Sequence, residues 1–530
     1  MYNITTIVCL LLGFNVLLAQ PNDSKRDNTW LIGYRTSTGE LSSINGNIQV
    51  NFATNDIAVD TINANINYNE TCAGISDTSG NMLFYTNGAI IIDSTYQIMQ
   101  NSENFNESSG TTYWEETGWG LRQGQGALVL PMPDNPNKYY IFYEAAYFVS
   151  IGVVPLHLRY SVVDMELNNG LGAITEKKQD IAIDSLAFNG LTACRHANGR
   201  DWWIIMPQLS GYAYYLFLLT PQGVQDMSMQ FIGDDLPDTL GQSVFTPDGR
   251  HYIRFHAGGD SPKCPLDIYD FDRCTGELSN FKRVWINQIA PIAGLAVSPN
   301  SRFAYCFTGA ALHQYDMELD STTHIADYDG FYDEFSVFAA TLYQAQLAPN
   351  GKIYACASNS VRYFHVVNNP NEAGLACNFV QHGVPLPVYN GFTIPNFPYF
   401  RLGREEGSGC DTLYNWATAS PQPPPKEGEL QGLFSIMPNP ANGYLTITKL
   451  LHSFLPPLSL PPSLLPPPSE GAGGGYEFVL YDITGRSVLQ QALSTQNTIY
   501  TEQLPSGIYL YQIINPQNQS LQYGKVSVVR

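Results

Sequence analysis

The stretch SVFTPDGRHYIRF, residues 243–255, has near copies at LAVSPNSRFAYCF (295–307) and AQLAPNGKIYACA (345–357). Each begins as an apolar strand, reverses at a Pro-Asp/Asn-Gly/Ser turn, passes a basic residue and leaves as a strand with alternating aromatic residues. The turn has a local cause. Proline fixes φ ahead of it, Asp or Asn bonds its own backbone, and Gly takes positive φ. Weaker copies lie at AGISDTSGNMLFYTNG (73–88), ALVLPMPDNPNKYYIF (127–142) and TACRHANGRDWWII (192–205). Successive turns are about 50 to 62 residues apart, the length of one four-stranded propeller blade. A blade cannot bury both faces of its sheet alone, and stacking it radially between two neighbours solves that problem.

Six turns are visible, and FTIPNFPYFRLG (392–403) reads as the opening strand of one more blade. WLIGY (30–34) and IQVNF (48–52) lack a turn of their own and are expected to complete that blade, clasping the two ends of the domain together. The expectation is an all-β protein with a β-propeller over residues 28–403, seven blades, with six or eight as alternatives. Closure removes sheet edges that would otherwise pair with other chains. The abundance of Tyr (33) and Phe (26), with Gly (45) and Pro (34) as punctuation, favours many short strands over helices. The turns resemble the WD-like repeats of the TolB type, although no Trp-Asp closes a strand. That resemblance implies a fold and not an activity, because propellers host lectins, hydrolases, lyases and scaffolds alike.

A net charge of −21 repels phosphate backbones and anionic membrane surfaces, so nucleic acid is not an expected partner. The apolar run from Ile7 to Ala19 is too short to span a bilayer and fits a secretory signal peptide over residues 1–19, although no Lys or Arg precedes it. Beyond that leader eight cysteines remain: Cys72, Cys194, Cys264, Cys274, Cys306, Cys356, Cys377 and Cys410. Sequence leaves their connectivity open. Cys264 with Cys274, and Cys377 with Cys410, are candidate disulfides. Cys306 and Cys356 fall at equivalent positions of adjacent blades, too far apart to bridge, and are expected as buried free thiols.

After the propeller, residues 404–432 form a Pro-rich linker. A second unit follows over residues 433–530, with PNPANG, YDITGRSV, LPSGIYLY and GKVSVV in series. Together they resemble the type A C-terminal sorting domain of the Bacteroidetes type IX secretion system. The resemblance implies a small immunoglobulin-like β-sandwich recognised by the secretion machinery. It also implies removal by a sortase-like peptidase, during export or during anchoring to lipopolysaccharide. Pro438, Asn439, Pro440, Asp482, Gly485, Arg486, Gly507, Tyr509 and Lys525 carry over as motif residues; each also has a folding role in a turn or at a strand end. The Pro- and Gly-rich stretch 449–475 departs from the family by interrupting the module, and it reads as an inserted loop.

Chemistry on the propeller is sparse. Arg195 and His196, beside the turn of RHANGRDWW, are the catalytic candidates, since a blade's first strand lines the channel. The competing reading is that His196 caps its turn. Asp327, Asp329, Asp333 and Glu334 supply oxygen ligands enough for calcium but lack an EF-hand register, which favours solvated loop charge. No HExxH, GxSxG or phosphate-binding Gly loop is present. The expectation is a secreted or surface-anchored propeller that binds an extracellular glycan or protein. The alternative is an extracellular hydrolase or lyase acting on polysaccharide or peptide at the propeller channel.

Overall fold

The computed structural model describes residues 23–35, 44–53, 57–116, 119–149, 152–209, 211–234, 240–258, 261–334 and 337–410. It also describes 434–437, 444–449, 476–481, 487–493, 496–501, 503–505, 507–514 and 520–528. The expected leader at 1–19, the expected linker from residue 411 onward and the expected insertion from residue 450 onward lie outside these residues. The chain divides into two compact units, Met1–Tyr414 and Asn415–Arg530.

Among the described residues the first unit is a ring of seven antiparallel sheets. Blade one is Thr29–Tyr34, Gly46–Asn51 and Ala58–Ile62; blade two is Ala73–Ser76, Met82–Thr86 and Ile91–Asp93. Blades three to seven have four strands each and start at Ala127, Thr192, Gly241, Gly294 and Ala345. A short helix at Ser109–Glu116 lies in the connection between blades two and three.

The repeat turns fold by the chemistry read from them. In each, the Asp or Asn side chain accepts a backbone N–H two residues on: Ser79 to Asp77, Asn137 to Asn135, Arg200 to Asn198, Arg250 to Asp248, Arg302 to Asn300 and Lys352 to Asn350. The residue after the acceptor then takes positive φ at Gly199, Gly249 and Gly351, and Ser301 stands in the same conformation in the fourth copy. The aromatic strand that follows packs between blades. Trp203 is fully buried and donates its indole N–H to the Arg273 carbonyl of blade five at 2.8 Å. Tyr214 of blade four and Tyr269 of blade five share a hydroxyl contact of 2.6 Å.

Ring closure differs from the sequence expectation in one respect. The N-terminal strands do close the ring, but they pair with each other and with Ala58–Ile62, and residues 392–403 form no ladder strand. Pro395 and Pro398 have no N–H to donate, so the segment joins no ladder; a backbone bond from the Asn396 N–H to the Cys72 carbonyl at 2.8 Å and several side chains hold it. Phe397 packs on Trp30 with ring centroids 6.5 Å apart. Asn396 donates to the Ala127 and Leu191 carbonyls at 2.9 and 3.0 Å and accepts from Gln125 at 3.2 Å. Arg401 grips the buried Asp27 with two bonds of 2.9 and 2.8 Å.

The cysteine pairing is also different. Cys274 bonds Cys410, with Cα atoms 5.5 Å apart. Neither expected pair forms. Cys264 opens the strand Cys264–Phe271 while Cys274 lies beyond its other end, so an extended strand holds them apart, and Cys377 is buried on the outer side of blade seven. Cys306 and Cys356 are buried and free as expected, and burial raises both thiols well above their ordinary range.

In the second unit Phe434–Met437, Tyr444–Lys449 and Gln496–Tyr500 make one sheet. Ser487–Leu493, Tyr476–Tyr481, Gly507–Ile514 and Ser520–Val528 make the other. Ile499 of the first sheet packs in one core with Phe478, Leu480, Leu493, Tyr509 and Ile513 of the second, which makes a small β-sandwich. Of the expected motif residues, Gly507 opens a strand, Tyr509 is buried and donates to the Pro505 carbonyl at 2.9 Å, and Lys525 sits opposite Leu510 in the last ladder. Pro438, Asn439, Pro440, Asp482, Gly485 and Arg486 lie outside the described residues.

Two outcomes are expected. Replacing Arg401 by Ala leaves Asp27 buried without its cation and should cost about 3 kcal/mol in denaturant unfolding; a loss below about 1 kcal/mol would contradict the ionic closure. Peptide mapping without reductant should find Cys274 joined to Cys410, with Cys306 and Cys356 alkylated only after unfolding. A Cys306–Cys356 or Cys264–Cys274 peptide would contradict the blade register.

Candidate functional site

The two ends of the propeller axis differ chemically. At the end that carries the repeat turns, Arg195 is 3% exposed and is used structurally. Its guanidinium stacks on Trp202 at 3.9 Å, bonds Asp23 at 2.6 Å and donates to the Gly199 and Arg200 carbonyls. His196 bonds the Cys274 carbonyl through Nε2 at 3.1 Å and accepts the Asn198 N–H at Nδ1, so it caps its turn. Burial lowers its pKa. Arg273 reaches back to the carbonyls of Arg195, His196 and Gly403. These contacts tie blades four and five to the end of the domain, beside the Cys274–Cys410 bond.

Between this rim and the far mouth, the first strands enclose an axial cavity of about 40 Å³, lined by Thr192, Val244, Leu295, Ala345 and Asn396 among others. That is room for a few water molecules and not for a substrate.

The acidic candidates do not converge. Asp333 is buried and paired with Arg362 at 3.3 Å, Glu334 lies 3.6 Å from the same guanidinium, Asp329 bonds His382 at 2.9 Å, and Asp327 lies 3.4 Å from His324. Asp333 and Glu334 share one guanidinium, while Asp329 and Asp327 each face a different histidine. Among the described residues no group of three or more His, Cys, Asp or Glu has metal-holding geometry.

The far mouth holds a cluster that lies between the repeats. Glu70, three residues before the first strand of blade two, is 4% exposed. Its carboxylate meets Arg122 at 3.4 Å and accepts from the Tyr343 hydroxyl at 3.2 Å, yet burial pushes its pKa up against both. The Arg122 side chain is 59% exposed, and in the same loop the partly exposed Trp119 packs on Tyr34 with centroids 5.1 Å apart. The loop continues to Gly124, whose N–H donates to Asn189 Oδ1 and where a Cβ would clash with the Gln344 amide. Gln242 ties neighbouring blades by donating to the Ala345 carbonyl at 2.7 Å and accepting the Leu295 N–H at 2.9 Å. Sequence reasoning missed this cluster because it searched the turns. The available signal was an amide residue recurring just ahead of a blade's first strand, at Gln125, Asn189 and Gln344, or at its start, at Gln242.

Four buried histidines, His196, His256, His313 and His365, have pKa values lowered by burial, to about 4 for His313 and His365. The unfolded chain protonates them near pH 6.5, so their stabilisation is complete above that pH and is lost as pH falls toward the lowered folded values. Glu70 has the opposite sign, since a raised carboxylate stabilises below its unfolded pKa and loses that as pH rises. It is one group against four. Melting temperature should therefore fall between pH 7 and pH 4.5, and the double change His313→Gln, His365→Gln should flatten the slope. A wild-type profile that is level across this range would refute the neutral-imidazole assignment.

Residues 435–526 match the family model described as the secretion system C-terminal sorting domain. A tail of this type marks its chain for secretion or attachment at the cell surface, through interaction with the secretion machinery. Among the described residues no helix is long and apolar enough to cross a membrane. Comparison with curated proteins finds no match. Among solved structures, the chain is similar to a protein assigned as a 6-phosphogluconolactonase in Bacteroides fragilis, at 11% identity and a TM-score of 0.39, covering 69% of this chain and 96% of that one. It is similar to TolB from Acinetobacter baumannii at 14% identity and a TM-score of 0.24, covering 56% and 74%. A hypothetical selenium-binding protein from Sulfolobus tokodaii is similar at 10% identity and a TM-score of 0.38, covering 62% and 82%. At these values none of the three bears on activity.

Proposed function

We propose that the chain is an exported binding protein whose propeller holds an extracellular ligand at the mouth lined by Glu70, Trp119 and Arg122. The observation that carries this is the contrast between the two ends of the axis. At the turn rim Arg195 and His196 are spent on holding the ring together, and the cavity beneath them admits only water-sized molecules. At the far mouth an exposed guanidinium and a partly exposed indole are offered outward beside a single buried carboxylate. That arrangement suits recognition. Hydrolysis of a glycosidic bond uses two carboxylates facing each other across the scissile bond, and Glu70 has a cation and a phenol as neighbours instead. The sorting tail supplies the address, with the type IX machinery and a sortase-like peptidase as its partners.

Fractionation of the native host culture should place the protein in the medium or at the outer surface, with a mature C-terminus that falls before residue 433. Full-length protein retained in the cytoplasm or periplasm would refute the export half of the proposal. Turnover assays on polysaccharide and peptide substrates should show no product above the level of a His196→Ala control. Activity abolished by that change would favour the hydrolase reading.

A further inference from the structure

Blades three to seven carry four strands, whereas blade one stops at three among the described residues. No fourth strand of blade one therefore covers the outer part of blade seven, and Val380 there is 38% exposed. The result is an open groove of about 270 Å³ between the two blades, with Ile57 on one side and Lys352, Tyr354, Val366 and Val384 on the other. At the liquid volume of water it takes about nine molecules. Unlike the axial cavity, it has room for a small solute and opens to solvent.

The groove is a surface of donors. Lys352 gives one ammonium hydrogen to Asn368 Oδ1 at 2.8 Å, and the other two have no acceptor among the described residues. The Tyr354 hydroxyl, two residues on and facing the same way, accepts from Asn350 Nδ2 at 2.9 Å and keeps its own proton to give. None of the residues that line the groove is acidic, in a chain whose net charge is −21. A cation and a phenol side by side, with no counter-ion, call for an acceptor that brings the negative charge itself.

We propose that this groove binds a small hydroxylated carboxylic acid of the size of a sugar acid. The carboxylate accepts from Lys352 and the Tyr354 hydroxyl, the acid's hydroxyl groups pair with the amides of Asn350 and Asn368, and its C–H edge lies against Val366 and Val384. One cation selects one carboxylate, and the negative field of the whole protein disfavours a polyanion. The site is separate from the far mouth and does not depend on what binds there.

Calorimetric titration of the full chain with glucuronate, and with glucose as its neutral counterpart, tests this. Glucuronate should bind at millimolar concentration or tighter and glucose at least about tenfold more weakly, since the bonds to the carboxylate are charge-assisted. Lys352→Met and Tyr354→Phe should each weaken glucuronate by about tenfold, at unchanged melting temperature for Lys352→Met. Lys263→Met, which removes an equal charge from an exposed loop of blade five, should bind as wild type. No heat with glucuronate overturns the proposal, and so does equal binding of glucose. Binding that both groove variants retain, or that Arg122→Ala abolishes while Lys352→Met does not, overturns this site and moves the acid to another part of the propeller.

Discussion

A ring of sheets is stable only if its first and last segments are held together, and here the hold is ionic. Asp27, nearly excluded from solvent, is clamped by Arg401 from the end of the domain, and Asp23 is clamped by Arg195 of blade four. Charges this buried are tolerable only while paired. The pairs therefore fix where the chain begins and ends its circuit, and the disulfide between Cys274 and Cys410 fastens the same corner covalently. Closing a loop of 136 residues restricts the unfolded chain as well as the folded one.

That corner explains why the residues with the most catalytic appearance are not free for catalysis. Arg195, His196 and Arg273 carry hydrogen bonds between blades and the chain end, so their chemistry is spent on architecture. The opposite mouth also joins blades, through Gln242 and through the Tyr343 hydroxyl on Glu70. Its loops are longer, its polar groups are incompletely paired within the protein, and an indole and a guanidinium remain partly open to solvent. The proposed binding surface lies at the end of the axis opposite the corner that the disulfide fastens.

What was legible in the sequence was local. The turn motif announced itself because its residues act within four positions: all six copies make the Asp or Asn bond to the backbone, and four of them place positive φ at the next residue. The sorting tail was legible for the same reason, as four short hairpin motifs in series. Features that depend on distant segments were not. The prolines that keep residues 392–403 out of a ladder were visible, but the side-chain clasp that replaces the ladder, through Asn396 and Arg401, is a tertiary fact. The disulfide partner of Cys274 lies 136 residues away at a rim that exists only when the ring is closed. Glu70, Arg122, Tyr343 and Gln344 come from three inter-blade connections and share no motif, so only the fold brings them together.

The central claim is that the ring completes itself by Cys410 and leaves the sorting module free to fold and act alone. It is tested most directly by producing residues 20–414 without the tail and following thermal unfolding by circular dichroism and calorimetry. A self-closed ring requires one cooperative transition at the propeller's melting temperature in the full chain, with Cys274 and Cys410 still joined. A fragment that is unfolded, or that melts without cooperativity, would mean that the last strands belong to the ring and that the closure described here is wrong.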